Sequence, residues 1–551
     1  MLPSAWGLLG AARNTVLPPS YHFKLDYAAS HAGTQAFVDM LLEKCPSLAS
    51  SNARPSRLLP SGMLQTVYAG MADFSDVDQV EYVRKVFLTP DGGTVALDIT
   101  PPSLAEPSEE PVPTVLCLHG LTGGSTESYV RNVAAHITKP KDQGGAGMRF
   151  VVLNSRGCAG TPVSSPSLYS GAETSDVYST NLLLSRMFPT SPVLGLGFSL
   201  GGNVMAKYIS ESGKNNPLIG AIVVCAPFDF NRTADVLDST FVSSIFSSVM
   251  GSNVRRLGMR HIDTLALDPR LHENIEQLTG RPIKEGNTIT MPKGRRGTLR
   301  YADEILTRAV GGRQTPYGLF PLPSSKEYYD AASSLQYMSN LQRPLVVLAA
   351  YDDPIVPGSV IDSLRELVHT YPHAVLAETP CGGHLGFFTG ATPRRWIHNP
   401  IVEIAKAIQD GFAAANASEG GATRARQGLG SGGPQNSPWK TGSVDSRNVQ
   451  VEILPVDALR PVYPDIIRDS YRGKVMAWLR TQVLPHAPLV HPRDSPAGFD
   501  ESTESVTLKL KLFSDSLRPE VGYIELPSDV DVGNNGFIIQ GHNPNAPVRP
   551  A

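Results

Sequence analysis

Long hydrophobic runs are missing from this 551-residue sequence. No stretch approaches the ~18 consecutive apolar residues of a spanning helix, so no transmembrane segment is expected. Cysteine is scarce, at five residues, and no CxxC pair occurs. A disulfide framework and a zinc site are therefore not expected, and no metal or cofactor is anticipated. Cys117, Cys158 and Cys225 lie in or beside apolar runs, as thiols kept in a reducing compartment do. Charge of one sign is lacking too. The 48 basic and 51 acidic side chains leave a net charge of −3 without any Lys/Arg-dense stripe. That argues against nucleic-acid partners, whose binding rests on neutralising phosphates. Residues 1–20 carry only Arg13 as a charge and no apolar h-region, so no secretory signal is expected. A cytoplasmic protein, with at most peripheral contact to a membrane or lipid droplet, is the expectation.

What is present is enough apolar material, 41%, for a large core, with 50 glycines and 46 prolines that mark loops and tails. One core rarely grows past ~250–300 residues, so one large domain with additions is expected. Residues 1–54 read as an N-terminal extension in which Thr34 to Leu48 has helical spacing. Glu81 to Thr89 and Val95 to Thr100 read as a hairpin around Pro90-Asp91-Gly92-Gly93. Pro101 to Pro113 reads as a linker. Five short continuous apolar runs then follow: Thr114–Leu118, Phe150–Leu153, Val193–Phe198, Ile219–Cys225 and Leu345–Ala350. Runs without alternation suit strands covered on both faces, hence a mostly parallel sheet. Helical patterns fall between them at Glu127–Ile137, Glu173–Met187 and Leu200–Ser212, giving an α/β architecture. Residues 229–340 interrupt this rhythm with helix-like segments (Phe241–Met250, Tyr301–Ala309) and read as a lid. The main domain spans 55–412 and closes on an amphipathic helix, Asn399–Phe412. Residues 413–447 read as a flexible linker, and 448–551 as a C-terminal extension with helical character from Asn448 to Pro485.

Gly197-Phe198-Ser199-Leu200-Gly201 is a GxSxG between a buried strand and a helix pattern. A serine on such a turn projects its hydroxyl above the strand end, and the flanking glycines avoid clashes there. The competing reading is a glycine turn that only joins strand to helix. A dinucleotide fingerprint fails, because the third glycine would have to fall at Leu200. Serine needs a base, and the base needs an acid, in the chain order Ser, acid, His. Asp352 and Asp353 both follow the run Leu345–Ala350. Asp353 stands four residues before Pro357 and is preferred, with Asp352 the alternative. His384, in Cys381-Gly382-Gly383-His384-Leu385-Gly386-Phe387, is the expected base; His261, His272, His369, His373 and His398 fit worse. The developing oxyanion needs two N–H donors. Those of Leu200 and of Leu121, in His119-Gly120-Leu121-Thr122-Gly123-Gly124, are the candidates, with His119 supporting the loop. Lys293, Arg295, Arg296 and Arg300 read as a solvated basic loop, and no HxxxxD motif occurs.

These motifs, together with Pro60-Ser61-Gly62-Met63-Leu64-Gln65-Thr66, Asn154-Ser155-Arg156-Gly157-Cys158, Tyr328-Tyr329 and Ser333-Ser334, give residues 55–412 a marked resemblance. The segment is similar to the α/β-hydrolases of the YheT-like, plant embryogenesis-associated, animal abhydrolase-domain and yeast medium-chain fatty acid ethyl ester synthase/esterase group. Met63 stands where relatives usually carry His, and the lid around Asp303-Glu304 matches poorly. The resemblance implies a serine hydrolase of fatty-acyl esters, with Ser199, Asp353 and His384 as its triad. Its partner is a small-molecule or lipid ester, and some members pass the acyl group to an alcohol acceptor. A tailoring esterase on a specialised metabolite and a non-catalytic lipid-binding member are the alternatives.

Overall fold

The computed structural model describes residues 20–89, 91, 93–266, 268–279, 297–314, 319–418, 445–453, 506–514 and 522–525. Its frame is a sheet of β1 (Lys24–Tyr27), β2 (Val83–Leu88), β3 (Thr94–Thr100), β4 (Thr114–Leu118), β5 (Arg149–Asn154), β6 (Val193–Phe198), β7 (Gly220–Val224), β8 (Leu345–Ala350) and β9 (Ala374–Thr379). The spatial order is β1-β9-β8-β7-β6-β4-β5-β3-β2. Neighbours from β5 through β9 run parallel, while β1, β2 and β3 pair antiparallel. Every residue of β4 through β9 is buried. This is why those strands read as unbroken apolar runs rather than as alternation.

Helices cover both faces: α1 (Ala32–Lys44), α2 (Gly62–Met71), α3 (Ser128–Ile137), α4 (Ser175–Met187) and α5 (Leu200–Glu211) precede the lid. The lid carries α6 (Phe230–Ser239), α7 (Phe241–Arg260), α8 (His272–Thr279) and α9 (Ser325–Ala332), and α10 (Gly358–Val368) and α11 (His398–Ser418) follow it. One cluster of buried side chains lies between the sheet and α4, α5 and α10. A second lies on the opposite face against α1, α3 and α11.

Several readings change. The N-terminal extension supplies β1, whose Lys24–Tyr27 pairs with Val375–Glu378 of β9, so residue 54 does not divide the sheet. The helical pattern at Thr34–Leu48 stops at Lys44, because Pro46 starts a new turn. Pro101–Pro113 joins two strands of one sheet and includes a short 3-10 turn at Pro102–Leu104. The helix expected at Phe241–Met250 runs on to Arg260, and the one at Tyr301–Ala309 is interrupted by a π-helical turn, Asp303–Thr307. In the C-terminal region Asp445–Ile453 is a strand where a helix was expected from Asn448. It pairs with Val506–Ser514, which pairs with Gly522–Glu525, and Ile524 lies opposite Leu88 of β2. Lys293, Arg295, Arg296 and most of the linker lie outside the described residues. Arg300 is not part of a free basic loop: it pairs with Asp235 and Asp238 at 2.7 Å each.

A buried ion cluster ties the lid to the sheet. Arg156, after β5, holds Asp91 of the β2–β3 turn and Asp176 of α4, and Arg313 from the lid reaches the same Asp176 at 3.2 Å. Burial opposes ionisation of Asp91, but the two guanidiniums outweigh it and hold the carboxyl well below the usual range. Removing one member of such a cluster strands a buried charge and typically costs about 3–5 kcal/mol.

Candidate active site

The carboxyl ends of β6, β7, β8 and β9 open onto one edge, and backbone bonds carry each strand's ladder into the loop beyond it. Ser199 donates its N–H to Val224 O, Cys225 to Leu348 O and Tyr351 to Thr379 O, at 2.9 Å each. Ser199 sits between β6 and α5 with φ 51° and ψ −120°. A non-glycine residue there stores roughly 1–3 kcal/mol of strain and must be held by its surroundings. A Cβ on Gly197 would come within 2.4 Å of Gly201 O, and one on Gly201 within 2.5 Å of Leu118 O. The glycines of the motif are therefore spatial requirements.

His384 Nε2 lies 2.8 Å from Ser199 Oγ, and His384 Nδ1 lies 2.8 Å from Asp353 Oδ2. Asp353 Oδ1 accepts the N–H groups of Ile355 (2.8 Å) and Val356 (3.0 Å), which fixes its plane. Asp353 and His384 are buried and Ser199 is partly open. Asp352 is not at the imidazole: its Oδ1 accepts the Gly383 N–H at 2.9 Å. Burial pushes its carboxyl up, although the backbone N–H groups of Gly383, Gly62 and Gly382 oppose the shift.

The remaining candidate histidines have other neighbours. His261 faces Gly157 O, His272 faces Ala266 O, His369 faces Tyr27 O, His373 packs edge-on against His31, and His398 stacks on His136. Cys225 Sγ lies with the polar atoms of Asp353 and His384, all within 4.8 Å of one another. Burial pushes its thiol well up.

In the loop after β4, the Gly120 N–H goes to Tyr129 Oη (2.9 Å), that of Thr122 to Tyr169 Oη (2.5 Å) and that of Gly123 to Gly120 O (3.1 Å). Among the described residues, no protein acceptor meets the N–H of Leu121 or of Leu200, and both residues line the cavity beside Ser199. His119 braces this loop: Nδ1 lies 2.7 Å from Gly120 O, and Nε2 accepts the Ser155 N–H at 3.1 Å. Burial pulls its imidazole down to about 4, so it is neutral, with the proton on Nδ1.

Sequence reasoning left out the support behind the His384 loop. Thr66 Oγ1 on α2 accepts the His384 N–H at 2.8 Å and donates to Gly62 O at 2.7 Å. Gln65 Oε1 accepts the Phe388 N–H at 2.9 Å. The motif Pro60 to Thr66 was the available signal, but nothing in its spacing said what it touches. From the other side, Asn203 on α5 donates to Ala332 O (2.8 Å) and accepts the Ser334 N–H (3.1 Å), joining the elbow helix to the end of the lid.

Ser199 opens into a cavity lined by Leu168, Leu237, Val254, Leu257, Leu306 and Val310, among others. Strand edge, elbow and cavity together meet the pattern of one fold family, and comparison bears this out. A profile of the α/β-hydrolase fold matches residues 113–391. The chain belongs to that family. It is 31% identical over 391 residues to a monoacylglycerol lipase of Saccharomyces cerevisiae, covering 64% of this chain and 80% of that protein. It is 31% identical over 348 residues to the embryogenesis-associated protein EMB8 of Picea glauca, covering 61% and 68%. A yeast medium-chain fatty acid ethyl ester synthase/esterase is 26% identical over 386 residues, covering 60% and 80%. The α/β-hydrolase described here is an enzyme of the hydrolase class, in the lipase and esterase group of the family. No helix among the described residues is long and apolar enough to cross a membrane.

Proposed function

We propose that this α/β-hydrolase cleaves medium-chain fatty acyl esters through Ser199, His384 and Asp353 and an acyl-enzyme. The observation that carries the reading is the unbroken chain Ser199 Oγ–His384–Asp353, 2.8 Å at each link, at the mouth of an apolar cavity. His384 Nε2 takes the hydroxyl proton as Oγ attacks the ester carbonyl, while Asp353 holds the Nδ1–H and stabilises the imidazolium. The tetrahedral oxyanion is received by the N–H groups of Leu121 and Leu200. Collapse expels the alcohol, which takes the proton from His384; water, deprotonated by the same imidazole, then releases the acid.

An alcohol in place of water returns an ester from the same acyl-enzyme. The name of the yeast synthase/esterase relative and the apolar lining around Ser199 favour this as a second outcome. The substrate partner is a lipid or small-molecule ester. Five buried cysteines support a cytoplasmic site of action, and a lipid ester substrate fits peripheral contact with membranes or lipid droplets.

The test uses a fluorophosphonate probe and an acyl-chain series. Labelling that Ser199→Ala abolishes, with acid released from ester, supports the reading. A folded protein that is neither labelled nor active makes it a lipid-binding member instead. Ethyl ester formed in the presence of ethanol identifies transfer.

A further inference from the structure

The cavity above Ser199 is lined mostly by apolar side chains. Among the described residues, Asp303 is the only acidic or basic side chain in its lining, and it is 4% exposed. It sits at the start of the π-helical turn Asp303–Thr307, a wider turn that interrupts the lid helix at the cavity wall. Tyr329 Oη donates to Asp303 Oδ2 at 2.8 Å, and Tyr329 and Thr307 line the same cavity. The nearby Arg300 pairs with Asp235 and Asp238, and its charge also attracts the Asp303 carboxylate. Burial pushes the Asp303 carboxyl up to about 7, with the Thr307 and Tyr329 hydroxyls opposing the shift. A carboxyl group offers about four lone-pair positions when ionised, or an O–H donor and remaining acceptor sites when protonated. Tyr329 and Thr307 do not exhaust that capacity. The pair therefore keeps hydrogen-bonding capacity for a ligand group in an otherwise largely apolar cavity.

We infer that the Asp303–Tyr329 pair recognises a hydroxyl group on the ester substrate, selecting hydroxyl-bearing esters over plain alkyl esters. This rests on the ester-hydrolase reading and deepens it. The hydroxyl has two sources, the alcohol portion (a glycerol monoester) or the acyl chain (a hydroxy-acyl ester). The carboxyl binds either in the same manner, accepting from the hydroxyl or donating to it.

The experiment compares kcat/KM for ethyl octanoate, glycerol monooctanoate and ethyl 8-hydroxyoctanoate in the full-length wild type, Asp303→Asn, Asp303→Leu and Tyr329→Phe. The expected result is a fall of about tenfold in one hydroxyl-to-plain ratio in Asp303→Leu, with a smaller fall in Asp303→Asn, which keeps hydrogen-bonding atoms. A fall for the glycerol ester places the hydroxyl on the alcohol side, and a fall for the hydroxy-acyl ester places it on the acyl side. Ratios unchanged in every variant overturn the inference. A second readout does not need turnover: binding of 1-O-octylglycerol, 8-ethoxyoctan-1-ol and ethyl octyl ether to Ser199→Ala, with and without Asp303→Asn. Preference for a hydroxylated ether that Asp303→Asn weakens upholds the site even if no ester is cleaved, the result that would sink the hydrolase reading alone. Equal binding of all three ethers by both proteins overturns the site.

Discussion

The two walls of the cavity are held by different forces. On the sheet side, Ser199, His384, Asp353 and the Leu121 loop are positioned by backbone bonds, each with a named partner. On the lid side, Leu237, Val254, Leu257, Leu306 and Val310 are positioned by apolar packing, with Asp303 the one acidic or basic side chain among the described lining residues. Hydrogen bonds fix direction to a few tenths of an ångström, whereas apolar contact is non-directional and scales with area. The first wall suits chemistry that fails when an atom moves. The second suits a choice of substrate that can be retuned by volume.

If this division is right, changes on the sheet wall stop the reaction outright. Ser199→Ala is expected to lower kcat by about 10⁵–10⁶-fold and abolish fluorophosphonate labelling while leaving the thermal unfolding profile in place. Asp353→Asn should cost about 10⁴-fold in kcat, because the amide no longer selects the productive imidazole tautomer. Asp352→Asn should cost far less, since that carboxylate holds the Gly383 N–H rather than the imidazole. Equal losses in the two variants, both folded, would contradict the separate roles proposed for Asp353 and Asp352.

The walls should also answer acid with opposite sign. His119 has its folded-state value depressed from 6.5 to about 4 by burial, so the unfolded chain binds the proton first. Its contribution is present above the unfolded value and is lost as the pH falls from 6.5 toward 4, by about 3 kcal/mol at most. Asp303 is raised from 3.8 to about 7 by burial, so the folded chain binds the proton first and gains stability as the pH falls through that window. Urea unfolding midpoints at pH 7 and pH 4.5 check both. His119→Gln should lose less on acidification than the wild type, and Asp303→Asn should lose more. Parallel slopes in the three proteins would contradict the assignment.

A smaller effect is expected where the sheet wall meets α2. Thr66→Val removes the acceptor of the buried His384 N–H and should destabilise by about 1–3 kcal/mol. Thr66→Ser, which keeps the oxygen, should restore most of it. The drop in kcat should exceed any change in KM, because the imidazole moves and the cavity does not.

The same contrast explains how much was legible in the sequence. Strands β4 through β8 announced themselves because both faces are covered and the side chains are continuously apolar. The serine elbow was legible because strand, glycine and helix signals coincide within a few residues. β1 was missed because a four-residue edge strand, Lys-Leu-Asp-Tyr, is too short and too polar to show a period. Whether Asp352 or Asp353 meets His384 depends on how one turn is folded, as does the partner of Thr66; both are tertiary facts with no local signature. The π-helical turn at Asp303 was hidden inside an ordinary helical pattern, since the spacing of apolar residues does not separate a wide turn from an α-helical one.

The lid wall should give the smallest and most graded response. Val254 is 6% exposed and faces the cavity from α7. Val254→Phe adds volume at a packed site without touching any hydrogen bond named above. The added ring takes the place of acyl carbons, each worth about 0.8 kcal/mol of transfer free energy. Values of kcat/KM for a series of ethyl esters from four to twelve carbons should therefore fall about fourfold for each carbon displaced beyond the new limit, shifting the optimum to shorter chains. For the shortest esters, whose acyl carbons stop before the new ring, kcat should hold, because Ser199 and His384 are set by the strands and by α2. A loss that is uniform across chain lengths would mean that the lid also positions the reacting groups, and the separation of the two walls would not stand.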